Sequence, residues 1–518
     1  MEAIKAPLGA FLVHQGEGRD KLTDALSGTL GSDVVAASLA PAGGGVAGVM
    51  DKSGVEHVFS VTPGAPLLSL AEGTLDHAGG YSLSLGRSCP ANLPALLAAM
   101  PSLTPGATGL APSFGFGDRI GLATPGHAAA MRAAGEGLVP IFCQQSIREM
   151  TRTRRTPPEV MSDAVFGALR SGWTGPTGAD ADHLKTFADV DVTAASGFVF
   201  FTIDPSDHVD QNAGGYDGAE LEKRFEAMVQ AGQGGAEQAA GLYEGKSFDL
   251  GTGAVAFDRQ TLYRAVVKYG RALDHIQAMA AHIAEVRAGK PWEIEVSVDE
   301  TEEPTSVAEH CYIAMELKRR GVAIVSLAPR FPGAFEKGVD YRGDLRELRD
   351  VLARHAAVAE RFGPYKLSLH SGSDKFGVYP LLAKATRGVF HVKTAGTSYL
   401  EALRVACRAD PDLFREIVGF SRARFDTDKA SYHISAVLGG SSPPERLDKG
   451  VLEAAYLGYD NGRQILHVTF GSVLTAPGAR GGPSFRERLA ALLKEHRALH
   501  EEVLRIHFER HLRPLTGA

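Results

Sequence analysis

The chain of 518 residues is too long for a single domain of average size, and it carries a net charge of −7 with 22% charged and 44% hydrophobic residues. This composition excludes extended disorder, and the acidic balance argues against nucleic acid as a partner, since polyanion binders usually present a basic face. Four scattered cysteines, no apolar run near the roughly 20 residues of a membrane span and no secretory signal at the start predict a cytoplasmic protein with reduced thiols.

Residues 1–110 are predicted to form an accessory α/β domain. Short apolar runs such as 34–37 and 57–61 alternate there with glycine and proline turns, and no cluster of candidate catalytic groups accompanies them. The stretch 101–117 contains three prolines and four glycines, which is typical of a connector between domains.

From residue 118 onward, short apolar segments recur between longer helix-compatible ones, and this rhythm predicts a (β/α)8 barrel of TIM type over residues 118–475. Polar residues close most of the strand candidates, as expected where loops build a site at the carboxyl ends of barrel strands. The eight candidate strands are 119–123, 139–144, 177–182, 198–204, 293–299, 322–327, 365–370 and 389–394.

Three further segments complete the predicted layout. Residues 211–253 form a long insertion with a glycine-rich centre, which is either a mobile flap or a variable loop. Residues 465–470 resemble an additional strand, and 485–512 predict a helix within a C-terminal extension over 482–518. Two histidine pairs at i, i+4 spacing on this helix, 496/500 and 507/511, are interpreted as ordinary helix residues because no carboxylate motif accompanies them.

Alternation along the fifth strand supplies the strongest physical clue to a site. Ile294, Val296 and Val298 would face the helices, so that Glu295 and its neighbours on the other face would point into the barrel. Barrel interiors are normally filled by branched apolar residues, and an unpartnered buried carboxylate is costly. Glu295 is therefore either paired with a cation or retained for chemistry.

Strands seven and eight show the same alternation. Lys366, Ser368 and His370 share one face of strand seven, and His391 and Lys393 share one face of strand eight. Two histidines on neighbouring strands beside a carboxylate favour metal binding, although a single strand histidine is more often a hydrogen-bonded core residue.

The third strand ends in two acids and a histidine, of which Asp182 and His183 are adjacent. This density suits a metal ligand next to a general base, but an aspartate that caps a helix explains Asp182 equally well. Weaker rim candidates follow strands two, four and six, and no G-x-G-x-x-G follows a strand, so a nicotinamide cofactor is unsupported. These weaker candidates are Gln144, Gln145, Arg148, Asp204, Asp207, His208, Arg330 and Glu336.

Several of these segments together resemble the tagaturonate epimerase family over roughly residues 110–475. The resemblance is specific because several ungapped matches occur in the same order along the chain. The matching segments are 115–119 (GFGDR), 142–146 (FCQQS), 179–183 (ADADH), 201–205 (FTIDP), 295–301 (EVSVDET), 369–375 (LHSGSDK) and 391–399 (HVKTAGTSY).

The resemblance implies interconversion of D-tagaturonate and D-fructuronate with a divalent metal, which would be Zn, Mn, Ni or Co. It also implies that Asp182 is the proton acceptor, Glu295 the proton donor, and His183 and His370 metal ligands. For the remaining ligand we choose His391 over Glu336, because His391 lies on the strand next to His370. The resemblance leaves open whether the natural substrate is a hexuronate or a ketohexose. Ketohexoses such as fructose and tagatose could undergo the same epimerisation at C4.

The expected chemistry is retro-aldol cleavage, because the two hexuronates differ at a carbon β to the ketone, whose hydrogen that carbonyl does not acidify. Transient oxidation by a bound nicotinamide is the competing route. Gln144, Arg330 and Lys393 are the predicted substrate contacts, with Arg330 or Lys393 as the cation for the substrate carboxylate.

Two other functions remain open from the residues. A class II type sugar-acid aldolase would use the same metal and acid/base pair but release the fragments. A sugar-acid binding protein without catalytic activity would not need the paired acids. No membrane partner is expected, and the oligomeric state, a homo-oligomer included, stays open.

Overall fold

A computed structural model describes residues 2–13 and 18–517 of the chain. The N-terminal part is an antiparallel sheet covered by helices α1 (Glu2–Val13) and α2 (Arg19–Leu30), whose apolar side chains pack against the sheet. The strands are β1 (Asp33–Val34), β2 (Ala40–Ala42), β3 (Gly45–Lys52), β4 (Val55–Pro63), β5 (Gly73–Ala78) and β6 (Tyr81–Arg87). They pair in the order β1-β3-β4-β6-β5, with β2 on β3.

Eight parallel strands close into a barrel, which confirms the predicted fold class. Around the barrel they follow chain order, so each strand lies beside the next one in the sequence. The barrel strands are β7 (Ser113–Gly117), β8 (Val139–Ser146), β9 (Ala179–Leu184), β10 (Phe200–Ile203), β13 (Glu293–Val298), β14 (Ser326–Pro329), β15 (Lys366–Leu369) and β16 (Phe390–Thr394); β11 (Ser247–Asp249) and β12 (Ala254–Ala256) form a separate hairpin.

Helices surround the barrel, and most of them bury their apolar faces against the strands, whereas the buried apolar residues of α15 to α19 form a separate cluster with α14. The long α10 is amphipathic, and its buried positions recur at helical spacing from Leu262 to Ile283. The helices after α2 are α3 (Leu93–Ala99), α4 (Thr124–Ala134), α5 (Ile147–Thr153), α6 (Pro157–Arg170), α7 (Phe187–Ala195), α8 (Gly218–Gln230), α9 (Ala236–Tyr243), α10 (Arg259–Val286), α11 (Val307–Arg319), α12 (Leu345–Phe362), α13 (Tyr379–Thr386), α14 (Thr397–Ala409), α15 (Pro411–Asp428), α16 (Lys449–Glu453), α17 (Asp460–Val468), α18 (Phe470–Thr475), α19 (Phe485–Glu495) and α20 (Arg497–Thr516).

The first barrel strand is Ser113–Gly117, so the prediction of a strand at 119–123 is wrong. Its glycines, which suggested a connector, are required by the packing of the barrel. A Cβ atom on Gly115 would lie 2.5 Å from the Gln144 side chain, and one on Gly117 would lie 2.6 Å from backbone oxygen atoms at the end of β16. Glycine in a strand marks such a close approach.

Two other predictions require correction. Residues 465–470 are not a strand: 465–468 end helix α17, whose residues from Gly462 to Val468 are buried, and Phe470 begins α18. Short apolar runs do not distinguish a buried helix from a strand. The predicted C-terminal helix consists of two helices, α19 and α20, which meet at His496.

The insertion 211–253 is neither a bare loop nor an isolated flap. It contains α8, α9 and the strand β11, and both helices pack against α10. Its first residue, Gln211, accepts a hydrogen bond from the Glu302 amide at 2.9 Å, which ties the insertion to the loop after β13. None of the helices in the described part of the chain combines the length and apolarity needed to cross a bilayer.

Candidate active site

The carboxyl ends of the barrel strands surround a cavity of about 750 Å³. Asp182, His183, His370 and Lys393, which belong to or directly follow these strands, line it from the barrel side. Its walls are formed by the loops after the strands and by the segment 432–435, which follows α15. Active sites of (β/α)8 enzymes lie at this end of the barrel, so this cavity is the candidate active site.

Strand β9 brings two adjacent side chains, Asp182 and His183, to the cavity because it ends in a β-bulge. Its register with β10 shifts between Phe201 and Ile203, and the backbone of His183 is left-handed with a φ of 52°. Regular alternation would turn adjacent side chains to opposite faces, whereas a bulge re-aims one of them. Left-handed backbone is uncommon in residues other than glycine, and here it occurs at the site itself.

Each of the two cavity histidines has a carboxylate beside its Nδ1 atom. His183 Nδ1 lies 3.4 Å from Asp204 Oδ2, and His370 Nδ1 lies 3.1 Å from Asp299 Oδ1. The ring centroids of the two histidines are 5.1 Å apart. A carboxylate on one ring nitrogen fixes the orientation of the ring and leaves the other nitrogen for a ligand, as in histidines that bind metals.

Glu295 is fully buried inside the barrel, as alternation along β13 predicts. Its Oε1 accepts a hydrogen bond from His370 Nε2 at 2.7 Å and forms an ion pair with Lys393 Nζ at 2.9 Å, while Ser326 donates to Oε2 at 2.5 Å. His370 and Lys393 line the cavity, so Glu295 lies directly behind both of them. The sequence left open whether Glu295 is paired with a cation, and the structure shows that it is.

Lys393 lies at the centre of a buried group of acids. Its Nζ is 2.7 Å from Asp180 Oδ2, 2.8 Å from Asp182 Oδ1 and 2.9 Å from Glu295 Oε1, and it donates to Thr202 Oγ1 at 2.5 Å. These acids already neutralise the lysine. That Lys393 binds a substrate carboxylate stays a prediction.

Burial and mutual charge set the protonation of this cluster. Burial alone would raise the pKa of Asp182 and of Glu295, but His183 and Lys393 hold the first below its usual range, and Lys393 and His370 hold the second well below it. Burial would lower the pKa of the histidines, yet the surrounding carboxylates raise it to about 10 for His183 and about 9 for His370. At neutral pH Asp182 and Glu295 are therefore ionised beside positively charged partners, whereas burial raises the pKa of Asp180 to about 7.

Comparison with known proteins decides the family. A family model described as UxaE, tagaturonate epimerase, matches residues 74–515. The chain belongs to the tagaturonate epimerase family. A tagaturonate/fructuronate epimerase from Thermotoga maritima is 42% identical over 426 residues, which is 82% of this chain and 85% of that protein. Family membership makes the chain an epimerase, which is a class of isomerase.

Solved structures agree with this assignment to the tagaturonate epimerase family. The native crystal structure of the fructuronate-tagaturonate epimerase UxaE from Cohnella laeviribosi is 34% identical and has a TM-score of 0.86, with 95% of this chain and 99% of that chain covered. The complex of that enzyme with two glycerol molecules gives 34% identity and a TM-score of 0.87, covering 95% and 98% of the respective chains.

In this family member, three of the predicted site residues form a group that could hold a metal ion. Asp182, His183 and His370 each offer a ligand atom, and these atoms lie within 4.8 Å of one another. His391 does not join them. It is buried deeper in the barrel, where its Nδ1 contacts Ser113 Oγ at 2.9 Å, and burial holds its pKa well below that of a free histidine.

Glu336, the alternative third ligand, is likewise directed elsewhere. Its Oε2 accepts hydrogen bonds from the Ser435 amide and hydroxyl at 3.1 and 2.8 Å and from Gln464 at 2.7 Å. The carboxylate of Glu336 thus anchors the segment 432–435 that walls the cavity.

Gln144 and Arg330, the other predicted substrate contacts, both line the cavity. The Gln144 amide, in the orientation that satisfies its neighbours, donates to the carbonyl oxygens of Thr394 and Gly115 at 3.1 and 3.2 Å. The guanidinium of Arg330 donates to the Thr301 carbonyl, so it holds the loop after β13. In this structure both side chains therefore donate hydrogen bonds to backbone carbonyls at the rim of the barrel.

A second group of potential ligands, Asp374, His507 and His511, lies outside the cavity. Asp374 is already paired, since its Oδ2 lies 2.9 Å from Arg463 and its Oδ1 lies 2.8 Å from His507 Nε2. The nitrogens of His511 are both used, because Nε2 accepts the Asp374 amide at 3.0 Å and Nδ1 contacts the His507 carbonyl at 3.0 Å. This group therefore joins α20 to the loop that carries His370.

Sequence reasoning missed several cavity residues. Lys337, Ser371 and Tyr432 line the cavity from irregular segments, where neither strand alternation nor helical spacing marks an inward direction. Asp299 was among the unnamed neighbours of Glu295 that were predicted to face the barrel interior, and Asp204 was predicted only as a rim candidate. One sequence signal could have identified both acids. Each directly follows a barrel strand, and the neighbouring strand also ends in polar residues.

Proposed function

We propose that this chain interconverts D-tagaturonate and D-fructuronate by metal-assisted retro-aldol chemistry. The observation that carries the proposal is the bridge from Asp182 through Lys393 Nζ to Glu295, with separations of 2.8 and 2.9 Å, beside two histidines that have carboxylates on Nδ1. The bridge joins two acid/base groups to one cavity. An epimerase must remove a proton from one stereoisomer and return it to the other, so it needs two such groups.

The chemistry follows from the position of the stereocentre. It lies β to the ketone, so that deprotonation at this carbon is not assisted by the carbonyl. Cleavage of the bond between the stereocentre and the carbon next to the ketone gives an enediolate and an aldehyde. Rotation of the aldehyde before the bond forms again inverts the centre. The same steps apply to C4 of ketohexoses such as fructose and tagatose.

The donor set suits a divalent metal ion. His183 and His370 would hold it through Nε2, because Asp204 and Asp299 already occupy the Nδ1 side of each ring. Each Nε2 would first lose its proton, and that of His370 would exchange its contact with Glu295 Oε1 for the ion. Asp182 would complete the group, since its Oδ1 lies 3.8 Å from His183 Nε2. Imidazole and carboxylate ligands suit Zn, Mn, Ni or Co. When bound, such an ion stabilises negative charge on substrate oxygens.

Asp182 lines the cavity and is the group that takes the hydroxyl proton directly. Glu295 is the second acid/base group; it is ionised at neutral pH, and the proton that it exchanges with the substrate is carried by the Lys393 ammonium, whose Nζ contacts both carboxylates. Burial and the surrounding charges keep the pKa of each carboxyl low enough for a base at neutral pH. The two groups exchange roles for the two stereoisomers.

The proposal is tested with metal-depleted protein and tagaturonate. Epimerisation should vanish on chelation and return when a single divalent metal is added. Asp182→Asn and His370→Ala should lose activity in the presence of metal, whereas Asp207→Asn, which removes an exposed rim acid, should retain it. Activity that survives complete chelation would refute the metal requirement.

Isotopes distinguish the routes. Substrate deuterated at the epimerised carbon should keep its deuterium in the product, and the rate should show no primary deuterium effect, because retro-aldol cleavage breaks a carbon–carbon bond. A primary effect together with stoichiometric bound nicotinamide would establish the redox route instead. Accumulation of free three-carbon fragments would identify a class II type aldolase, and binding without turnover would identify a binding protein.

A further inference from the structure

The proposed substrate carries a carboxylate, and the cavity must supply a cation for it. This inference rests on the proposed function. Several basic residues line the cavity, and they differ in whether an acid of this chain already neutralises them. They are Arg119, Arg148, Arg152, Arg330, Lys337 and Lys393.

Most of these cations are already engaged. The Nε of Arg119 donates to Glu149 at 2.9 Å, and its guanidinium lies 3.5 Å from the ring centroid of Phe470. Arg148 forms an ion pair with Glu300 at 2.8 Å. Arg152 donates to the Tyr432 hydroxyl at 2.5 Å. Arg330 holds the Thr301 carbonyl, and Lys393 contacts three acids, as described above.

Lys337 differs from the other lysine of the cavity. It is half-buried, and its Nζ donates to Ser371 Oγ at 2.7 Å. Within residues 2–13 and 18–517, no carboxylate oxygen lies within 4.0 Å of that Nζ. Burial lowers the pKa of Lys337, and the more distant charge of Asp299 only partly offsets this effect. An ammonium group without an acid partner in a half-buried position is ready to bind an anion.

The backbone around Lys337 is held in place. The buried Lys375 donates through Nζ to the carbonyl of Glu336 at 2.8 Å and also to that of Val339, on either side of Lys337. Ser371, the partner of Lys337 Nζ, is the residue after His370 and has a left-handed φ of 52°. The lysine is therefore fixed relative to the proposed metal ligand, and such preorganisation favours binding.

We propose that Lys337 pairs with the carboxylate of the hexuronate substrate and is the residue that makes the site prefer sugar acids over neutral ketohexoses. Ser371 orients the ammonium group for this contact. A ketohexose has a neutral hydroxymethyl group in place of this carboxylate and gains no ion pair.

The test combines kinetics and binding. Lys337→Met should raise KM for tagaturonate and fructuronate by about 10- to 100-fold, the loss expected for one charge-assisted hydrogen-bonded pair, while kcat changes by less than about fivefold. Lys337→Arg should keep KM within about fivefold because it retains the charge. Lys384→Met is the matched control: it removes one exposed positive charge on α13, as Lys337→Met does in the cavity, and should leave KM unchanged.

Binding separates this inference from the proposed function. Titration calorimetry with tagaturonate should show a comparable loss of affinity in Lys337→Met and in the second neutral variant Lys337→Gln, whereas affinity for tagatose should not change. Equal binding of tagaturonate by wild type and Lys337→Met, or equal loss for tagatose, would overturn the inference. A third outcome is possible: tagaturonate binds more weakly to the Lys337 variants than to wild type, but wild type forms no epimer. This result would refute the proposed function and support the contact between Lys337 and the carboxylate.

Discussion

The Nε2 atom of His370 lies 2.7 Å from Oε1 of Glu295, although Glu295 is on strand β13, His370 directly follows strand β15, and β14 separates the two strands. The contact therefore runs through the interior of the barrel. Because each group is buried and supports the charge of the other, changing either one affects both. The acid/base and metal-binding parts of the proposed site are thus coupled physically.

The carboxylates beside the histidines should control metal affinity. Replacing Asp299 or Asp204 by asparagine removes the charge that orients and polarises the ring, so the dissociation constant for the metal should rise about 10- to 100-fold. Competition with a chromophoric chelator measures this value. Asp207→Asn is the matched control on the rim, and affinities equal to wild type in both test variants would show that these acids do not support a metal site.

The geometry predicts that His391 is dispensable for metal binding, since its Nδ1 contacts Ser113 deep in the barrel. His391→Asn should bind the metal within about threefold of wild type, whereas His370→Ala should lose affinity by at least about 100-fold. Metal content after dialysis, measured by mass spectrometry, gives the comparison. A loss of metal from His391→Asn as large as that from His370→Ala would return His391 to the ligand set.

Lys393 should be a major determinant of stability. Lys393→Met leaves three buried acids without their common cation, and the free energy of unfolding should fall by about 3–5 kcal/mol. Urea unfolding of metal-free protein, followed by circular dichroism, provides the measurement. The further change Glu295→Gln should recover part of the loss because it removes one of the stranded charges. A loss below about 1 kcal/mol would contradict the expected burial cost.

The group around Asp374 should stabilise the loop that carries His370. Arg463→Met removes the guanidinium that lies 2.9 Å from the buried Asp374 and should cost about 2–3 kcal/mol of unfolding free energy, together with weaker metal binding. Arg408→Met, which breaks the more exposed pair with Glu453, should cost less than about 1 kcal/mol. If both variants lose the same stability and metal affinity, Arg463 has no special role in the loop.

Buried neutral histidines should make the fold sensitive to acid. Burial lowers the pKa of His127 and of His511 from 6.5 to about 3, so below pH 6.5 the unfolded chain takes up protons that the folded chain does not. The stability is fully present above pH 6.5 and is lost as the pH falls toward 3, by about 1.4 kcal/mol per pH unit for each such histidine. His127→Gln should flatten this dependence between pH 7.5 and 5, as measured by urea unfolding. An unchanged slope would show that His127 does not remain neutral in the fold.

The sequence was informative where the backbone is regular. Alternation along β13 and β15 predicted that Glu295 and His370 face the interior, because successive residues in a strand point to opposite sides. The same rule placed His391 inside the barrel. It did not give the depth at which each side chain lies, and that depth is what separates His391 from His370.

The remaining features depend on contacts between distant parts of the chain. The bulge that turns His183 toward the cavity requires the pairing of β9 with β10, which no local pattern encodes. The strand Ser113–Gly117 was overlooked because its glycines resemble a connector, and the reason for them is the side chain of Gln144 on the neighbouring strand. Lys337 belongs to an irregular loop whose shape is set by Lys375, 38 positions further along the sequence.

Lys375 and Lys337 therefore have different roles, one in holding the loop and the other in binding a ligand. The ammonium group of Lys375 donates to backbone carbonyls, whereas that of Lys337 donates to Ser371 and is the proposed contact for the substrate carboxylate. For redesign toward neutral sugars, residue 337 is the position to vary, while residue 375 belongs to the scaffold that must be left intact. Substitution of residue 375 would remove the contacts that hold the backbone on both sides of residue 337.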